Sequence, residues 1–152
     1  MLKESKNPIW RERIIRYAPL ILWIGVIFFL SSTQGSMSKT SYFVRPILLF
    51  FFPDAPEERL VIYHSYVRKF AHFFEYAVLA FFSFRAFSTR KFLPNLRFPV
   101  SLLLIFTIAS LDEFNQSFLS SRTSSFRDVL LDTFGGLVML SILFLFTKLQ
   151  SD

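Results

Sequence analysis

The chain has 152 residues, of which 53% are hydrophobic and 22 are Phe, with 7 Pro, 4 Gly and no Cys. That length suits one domain, the apolar share exceeds the roughly 45–50% of soluble domains, and the lack of Cys excludes disulfides and thiolate metal sites. The net charge of +6 does not point to nucleic acid, because the basic residues gather at the ends of apolar runs, as the positive-inside rule describes for membrane proteins.

Lys3, Lys6, Arg11, Arg13 and Arg16 precede the first apolar run, Tyr17 to Leu30, which Ser31 and Ser32 extend. A first span over 14–32 is expected. A cleaved signal peptide has a similar layout, but no small-x-small cleavage site follows Leu30. The segment therefore reads as an uncleaved anchor with a cytoplasmic N-terminus. Pro19 is expected in its first turns, where a missing N–H is tolerated. Ser31 to Phe43 is polar and turn-like. Pro46 to Phe52 is apolar but too short to span a bilayer, and Pro53 and Pro56 close it. The segment Phe43–Phe52 is expected either to re-enter or lie along the membrane on the outer face, or to cap the helix ends.

Glu57 to Lys69 has no Gly or Pro and reads as a helical lead-in to a second span over 67–87. That span carries Lys69, His72 and Glu75 near its start and Arg85 near its end. Arg90, Lys91 and Arg97 form a basic loop suited to the cytoplasm. Pro94 and Pro99 bracket the start of a third span over 98–119, whose second half holds Asp112, Glu113, Asn115 and Gln116. A polar turn over 120–125 leads to a fourth span over 128–147, which ends before Lys148. The expected fold is all-α and integral to the membrane. It is a four-helix transmembrane bundle in one domain over 1–152, with a short apolar re-entrant or interfacial segment in the first outer loop and both termini in the cytoplasm.

Helical rise puts the polar residues of three spans at one depth. At about 1.5 Å per residue, His72 and Glu75 fall within roughly 10 Å of the outer face. Asp112 and Gln116 lie about 21–27 Å along the outward-running third span, and Asp132 is about 6 Å deeper than Asp128. Lys69, His72 and Tyr76 share one stripe, with Glu75 beside it; Asp112 and Gln116 are i, i+4; Asp128, Asp132 and Gly135 share a face. Gly135 and Gly136 allow another helix to approach closely.

Ionisable residues inside a span are costly, usually face the bundle interior and mark functional sites. Three readings of them stand open. One is an outer-leaflet site for an amphiphile with an anionic head group. In it Lys69, Arg122 and Arg127 hold phosphate by charge-assisted hydrogen bonds, and Phe43–Phe52 meets the lipid tail. Tyr76, Gln116, Asp128 and Asp132 belong with these as candidate ligand contacts. Another is an enzyme, with His72, Glu75, Asp112 and Glu113 as candidate catalytic residues and His72 oriented by Glu75 or Asp112 for acid–base work. The third is a structural ion-pair network, in which Lys69, Arg122 and Arg127 neutralise the five carboxylates. No nucleophile motif is visible, and Ser31, Ser32, Ser120, Ser121, Ser124 and Ser125 read as ordinary turn serines. His72, Glu75, Asp112 and Asp132 could hold a divalent cation, but nearby basic residues can balance the same carboxylates, so neither a metal nor another cofactor is expected. Transport is disfavoured, because inverted repeats and broken helices are missing.

The pieces Leu30-Ser31-Ser32-Thr33-Gln34, Lys69-x-x-His72-x-x-Glu75-Tyr76-x-x-Leu79 and Asp112-Glu113-x-x-Gln116, followed by Arg122, Asp128, Asp132 and Gly135, resemble the VanZ-like family of bacterial membrane proteins. Their order and spacing carry the resemblance across most of the chain. The chain departs from the family in having Ser120-Ser121 where Pro-Gly is frequent, Asp132 where Asn is frequent, and Met139 where a Gly is common. The resemblance implies a multi-pass protein of the bacterial cytoplasmic (inner) membrane. It also implies a link to glycopeptide resistance of the teicoplanin type, and so a lipoglycopeptide or a lipid-linked cell-wall precursor as partner beside the bilayer itself.

Overall fold

The computed structural model describes residues 8–89, 93–119 and 124–150. Lys3, Lys6, Arg90, Lys91, Ser120, Ser121 and Arg122 fall outside them. The described residues form five α-helices: α1 (Pro8–Ser31), α2 (Met37–Phe51), α3 (Glu57–Phe87), α4 (Pro94–Gln116) and α5 (Phe126–Leu149), with a short 3-10 turn at Thr33–Gly35. The fold is all-α. Three helical stretches are long and apolar enough to cross a bilayer: Trp10–Ser31, Pro94–Gln116 and Phe126–Leu149.

Two local expectations are corrected. α1 begins at Pro8, so Pro19 lies in its interior, not in its first turns. The basic stretch ahead of the apolar run contains good helix formers, and Pro8 is tolerated as a first helical residue, so the helix extends backwards through Arg11, Arg13 and Arg16. The stretch read as a polar turn, Ser31 to Phe43, is also largely helical. After the 3-10 turn, Ser36 takes the N-cap position of α2, its carbonyl accepting from the amides of Lys39 and Thr40 at 3.1 and 3.0 Å. No Gly or Pro then intervenes before Pro46, and Pro53 follows the helix end.

α3 is one continuous helix of 31 residues, uniting the lead-in and the second expected span. At about 1.5 Å per residue it is roughly 46 Å long, well beyond a 30 Å hydrocarbon core. It touches every other α-helix and packs most extensively on α5. α2 leans on the first turns of α3: Leu48 and Leu60 are both buried, Thr40 Oγ1 and His64 Nε2 are 3.0 Å apart, and Arg45 pairs with Glu57 at 2.7 Å. That exposed pair adds little, roughly 0.2–1 kcal/mol.

The core runs through Ile27, Tyr76, Leu79, Ala80, Ile105, Ala109 and Leu140, all with no exposed surface. Small residues let the helices close on it. A methyl group on Gly135 would run into the backbone carbonyl of Phe73, with the Phe73 Cα only 3.1 Å away, so α5 meets α3 backbone to backbone. On Gly136 the same methyl would meet the Ile105 side chain at 2.8 Å, which can turn aside. Both glycines therefore serve the close approach their pairing suggested. Gly135→Ala should destabilise the protein by about 3 kcal/mol or more and Gly136→Ala by about 1–2 kcal/mol. Thermal unfolding of the two variants in one detergent checks the order, and equal midpoints would contradict it.

Candidate functional site

Four helices bring polar side chains to one end of the bundle: α1 by its last residue, α4 by its last turns, α5 by its first turns, and α3 by its middle. At the centre is Asp112, with no exposed surface. Its Oδ2 accepts from Ser31 Oγ of α1 at 2.8 Å, from Tyr76 Oη of α3 at 3.3 Å and from Gln116 Nε2 one turn along α4 at 3.1 Å. Three donors on one oxygen are what a buried carboxylate needs to remain in an apolar interior.

A cavity of about 120 Å³ opens beside this centre. Its wall is made by Arg68, Lys69 and His72 of α3, Glu113 and Gln116 of α4, and Asp128 and Asp132 of α5, with Met37 of α2 at one side. Lys69 Nζ donates to Asp128 Oδ1 at 2.8 Å. The charge of half-buried Arg68 interacts with Asp128 and Glu113. Glu113 Oε2 accepts from the backbone N–H of Ser125 at 2.9 Å, so this α4 carboxylate holds the start of α5. Ser125 is itself the N-cap of α5, its Oγ accepting from the Arg127 amide at 3.2 Å, and Asp128 in the first turn suits the positive end of the helix dipole.

Around His72 three carboxylates gather. Glu75 Oε2 is 3.5 Å from His72 Nδ1, and one donor atom each of His72, Asp112 and Asp132 lie within 4.8 Å of one another. Asp132 is 1% exposed, and neither of its oxygens has a hydrogen-bond partner among the described residues.

The VanZ/LLP1 family profile matches residues 17–147. The chain belongs to the VanZ/LLP1 family. No curated protein and no solved structure matches it. Of the residues singled out in this VanZ/LLP1 sequence, Lys69, His72, Glu113, Gln116, Asp128 and Asp132 line the cavity together. Tyr76 and Asp112 sit behind them, joined to each other, and Glu75 stands against His72. Arg127 is exposed and does not line the cavity, and Arg122 lies outside the described residues.

Two participants were given no role in the site by the sequence. Ser31, read as an ordinary turn serine, is fully buried and donates to Asp112. Arg68 was passed over in favour of Lys69, although it stands i, i+4 to His72 and shares that residue's face. Ser31→Ala removes one of three donors from a buried carboxylate and should cost about 1–3 kcal/mol. Ser110 of α4 bonds back to the Phe106 carbonyl of its own helix, and Ser110→Ala should stay within about 0.5 kcal/mol. Unfolding midpoints in detergent check this, and a harmless Ser31→Ala would remove Asp112 as the joint between α1 and α4.

Proposed function

We propose that this VanZ/LLP1 protein binds a cell-envelope amphiphile with an anionic head group, at the outer leaflet of the bacterial cytoplasmic membrane. The carrying observation is the cavity: a polar chamber with Arg68 and Lys69 in its wall, in a bundle whose outer faces are apolar. The two cations would take a phosphate or carboxylate by charge-assisted hydrogen bonds. Glu113 and Asp128 would accept from the hydroxyl and amide groups of a saccharide or peptide head. A lipid-linked cell-wall precursor has this two-part chemistry, and so does a lipoglycopeptide of the teicoplanin type. Binding of either would connect the site to glycopeptide resistance.

In this reading α3 crosses beside α1, α4 and α5, giving four spans with both termini in the cytoplasm. Supporting the orientation, Arg11, Arg13, Arg16, Arg97 and Lys148 stand at the helix ends remote from the cavity, where the positive-inside rule wants cytoplasm. α2, at 15 residues, is about 22 Å long and too short to cross. Its exposed Tyr42, Phe43, Ile47, Phe50 and Phe51 suit a helix lying at the interface, where they would meet the acyl chains.

One contact favours a second reading, acid–base catalysis on the lipid head group. Glu75 within 3.5 Å of His72 Nδ1 is a carboxylate placed to orient an imidazole that lines the cavity. The readings separate experimentally. The protein is purified in mild detergent and its bound lipids are identified by mass spectrometry. Under the binding reading, Arg68→Ala and Lys69→Ala each lower the co-purifying amphiphile about tenfold or more, whereas Arg127→Ala leaves it unchanged. If all three variants carry the same lipids as the parent, the proposal fails. Under the enzyme reading His72→Ala retains the lipid but no longer converts it.

A further inference from the structure

We infer that His72, Asp112 and Asp132 form a binding site for a divalent transition cation, with Mn²⁺ and Zn²⁺ as the fitting class. The inference does not depend on the lipid reading. Its first support is geometry. Three atoms no more than 4.8 Å apart fit within a circle of about 2.8 Å radius, so an inward shift of at most about 0.8 Å, within the reach of side-chain rotation, brings each to metal–ligand distance. One imidazole nitrogen with carboxylate oxygens is a mixed donor set. Imidazole disfavours Mg²⁺ and Ca²⁺, while the carboxylates are compatible with Mn²⁺ and Zn²⁺.

The second support is independent of the first. The Asp132 carboxylate is 99% buried, as its exposure is 1%; it lines the cavity, and neither oxygen has a hydrogen-bond partner among the described residues. A buried carboxylate is expensive unless something compensates it. Among the described residues, balance by basic side chains, the sequence argument against a metal, does not reach it. Lys69 is engaged by Asp128, Arg68 interacts with Asp128 and Glu113, and Arg127 is not in the cavity wall. Glu113 also accepts from the Ser125 amide, so of the lining carboxylates Asp132 is the one with no hydrogen-bond partner among the described residues. A divalent ion would place positive charge against this carboxylate.

The surroundings suit the ligands. Asp112 is held by Ser31, Tyr76 and Gln116 on Oδ2, and His72 has a carboxylate neighbour in Glu75 at 3.5 Å. Hydrogen-bonding partners such as those of Asp112 orient ligating side chains in metal sites. Three protein ligands leave a coordination position for water or a ligand oxygen, and the cavity gives access to it.

The test uses the full-length protein in detergent, stripped with chelator and then equilibrated with Mn²⁺ or Zn²⁺. Metal content is read by mass spectrometry after desalting, and stability by thermal unfolding. The wild type is expected to retain about one ion per chain and to gain about 5 °C in midpoint at saturating ion. Asp132→Asn and His72→Ala are each expected to lose most of the retained ion and the gain. In chelator Asp132→Asn is expected to be at least as stable as the wild type, since it exchanges a buried carboxylate for a neutral amide. Retention of neither ion by the wild type overturns the inference. So does equal retention by both variants, which would place the ion on exposed acidic residues such as Glu57 and Glu58.

Discussion

The hydrogen bonds on Asp112 are the constraint from which the rest of this bundle follows. A carboxylate with no exposed surface survives in an apolar interior only if donors reach it, and the donors here come from α1, α3 and α4 itself. Leaving such a group unsatisfied costs more than making the bonds returns. The register of α1 against α4 is therefore set by Ser31, and that of α3 against α4 by Tyr76. Apolar contacts alone would tolerate sliding, because Leu, Ile and Phe surfaces recur along each helix. The polar joint selects one arrangement, and the same arrangement turns the remaining charged residues toward the cavity beside it.

How much of this was legible in the amino-acid sequence depends on how loudly each residue speaks. Asp112, Glu113 and Asp132 are conspicuous because a carboxylate in an apolar run is expensive, and helical rise places them together without any knowledge of packing. Ser31 is silent by comparison. Serine is common near helix ends and cheap to leave in a turn, so nothing in its type marks it as a donor to a residue 81 positions away. Arg68 was hidden by its neighbour, since two adjacent basic residues look alike until the face of the helix is known. The start of α1 and the helical character of Met37–Phe43 were missed for a shared reason. Both stretches are polar, and hydropathy reports burial rather than helicity. α3 shows the opposite: its polar face keeps it apart from the three helices apolar enough to count as spans, although it is the helix on which all the others pack.

Among the described residues, Asp132 stands apart from the charge pairs of the cavity wall. Lys69 pairs with Asp128, Arg68 interacts with Asp128 and Glu113, and Glu113 also accepts from the Ser125 backbone N–H. Structural ion pairs fix register, but Asp132 contributes nothing of that kind, having no hydrogen-bond partner among the described residues. Its burial works against stability, and a residue that works against stability in a chamber lined with other ionisable groups reads as functional.

The backbone explains how α5 delivers that residue. Gly135 lies against the carbonyl of Phe73. One helical turn before Gly135 on α5 is Asp132, and one residue before Phe73 on α3 is His72. The contact between these two backbones thus lies within one helical turn of both residues and fixes the separation of their helices there. Were α5 held off by the width of a methyl group, Asp132 would move outward from His72 by a comparable amount, and from Asp112 with it, because a helix moves as a rigid unit over one turn. A site that depends on three donor atoms lying within 4.8 Å of one another has little room for such a shift. The missing Cβ at Gly135 is therefore part of the geometry of the His72–Asp112–Asp132 cluster as well as of the packing.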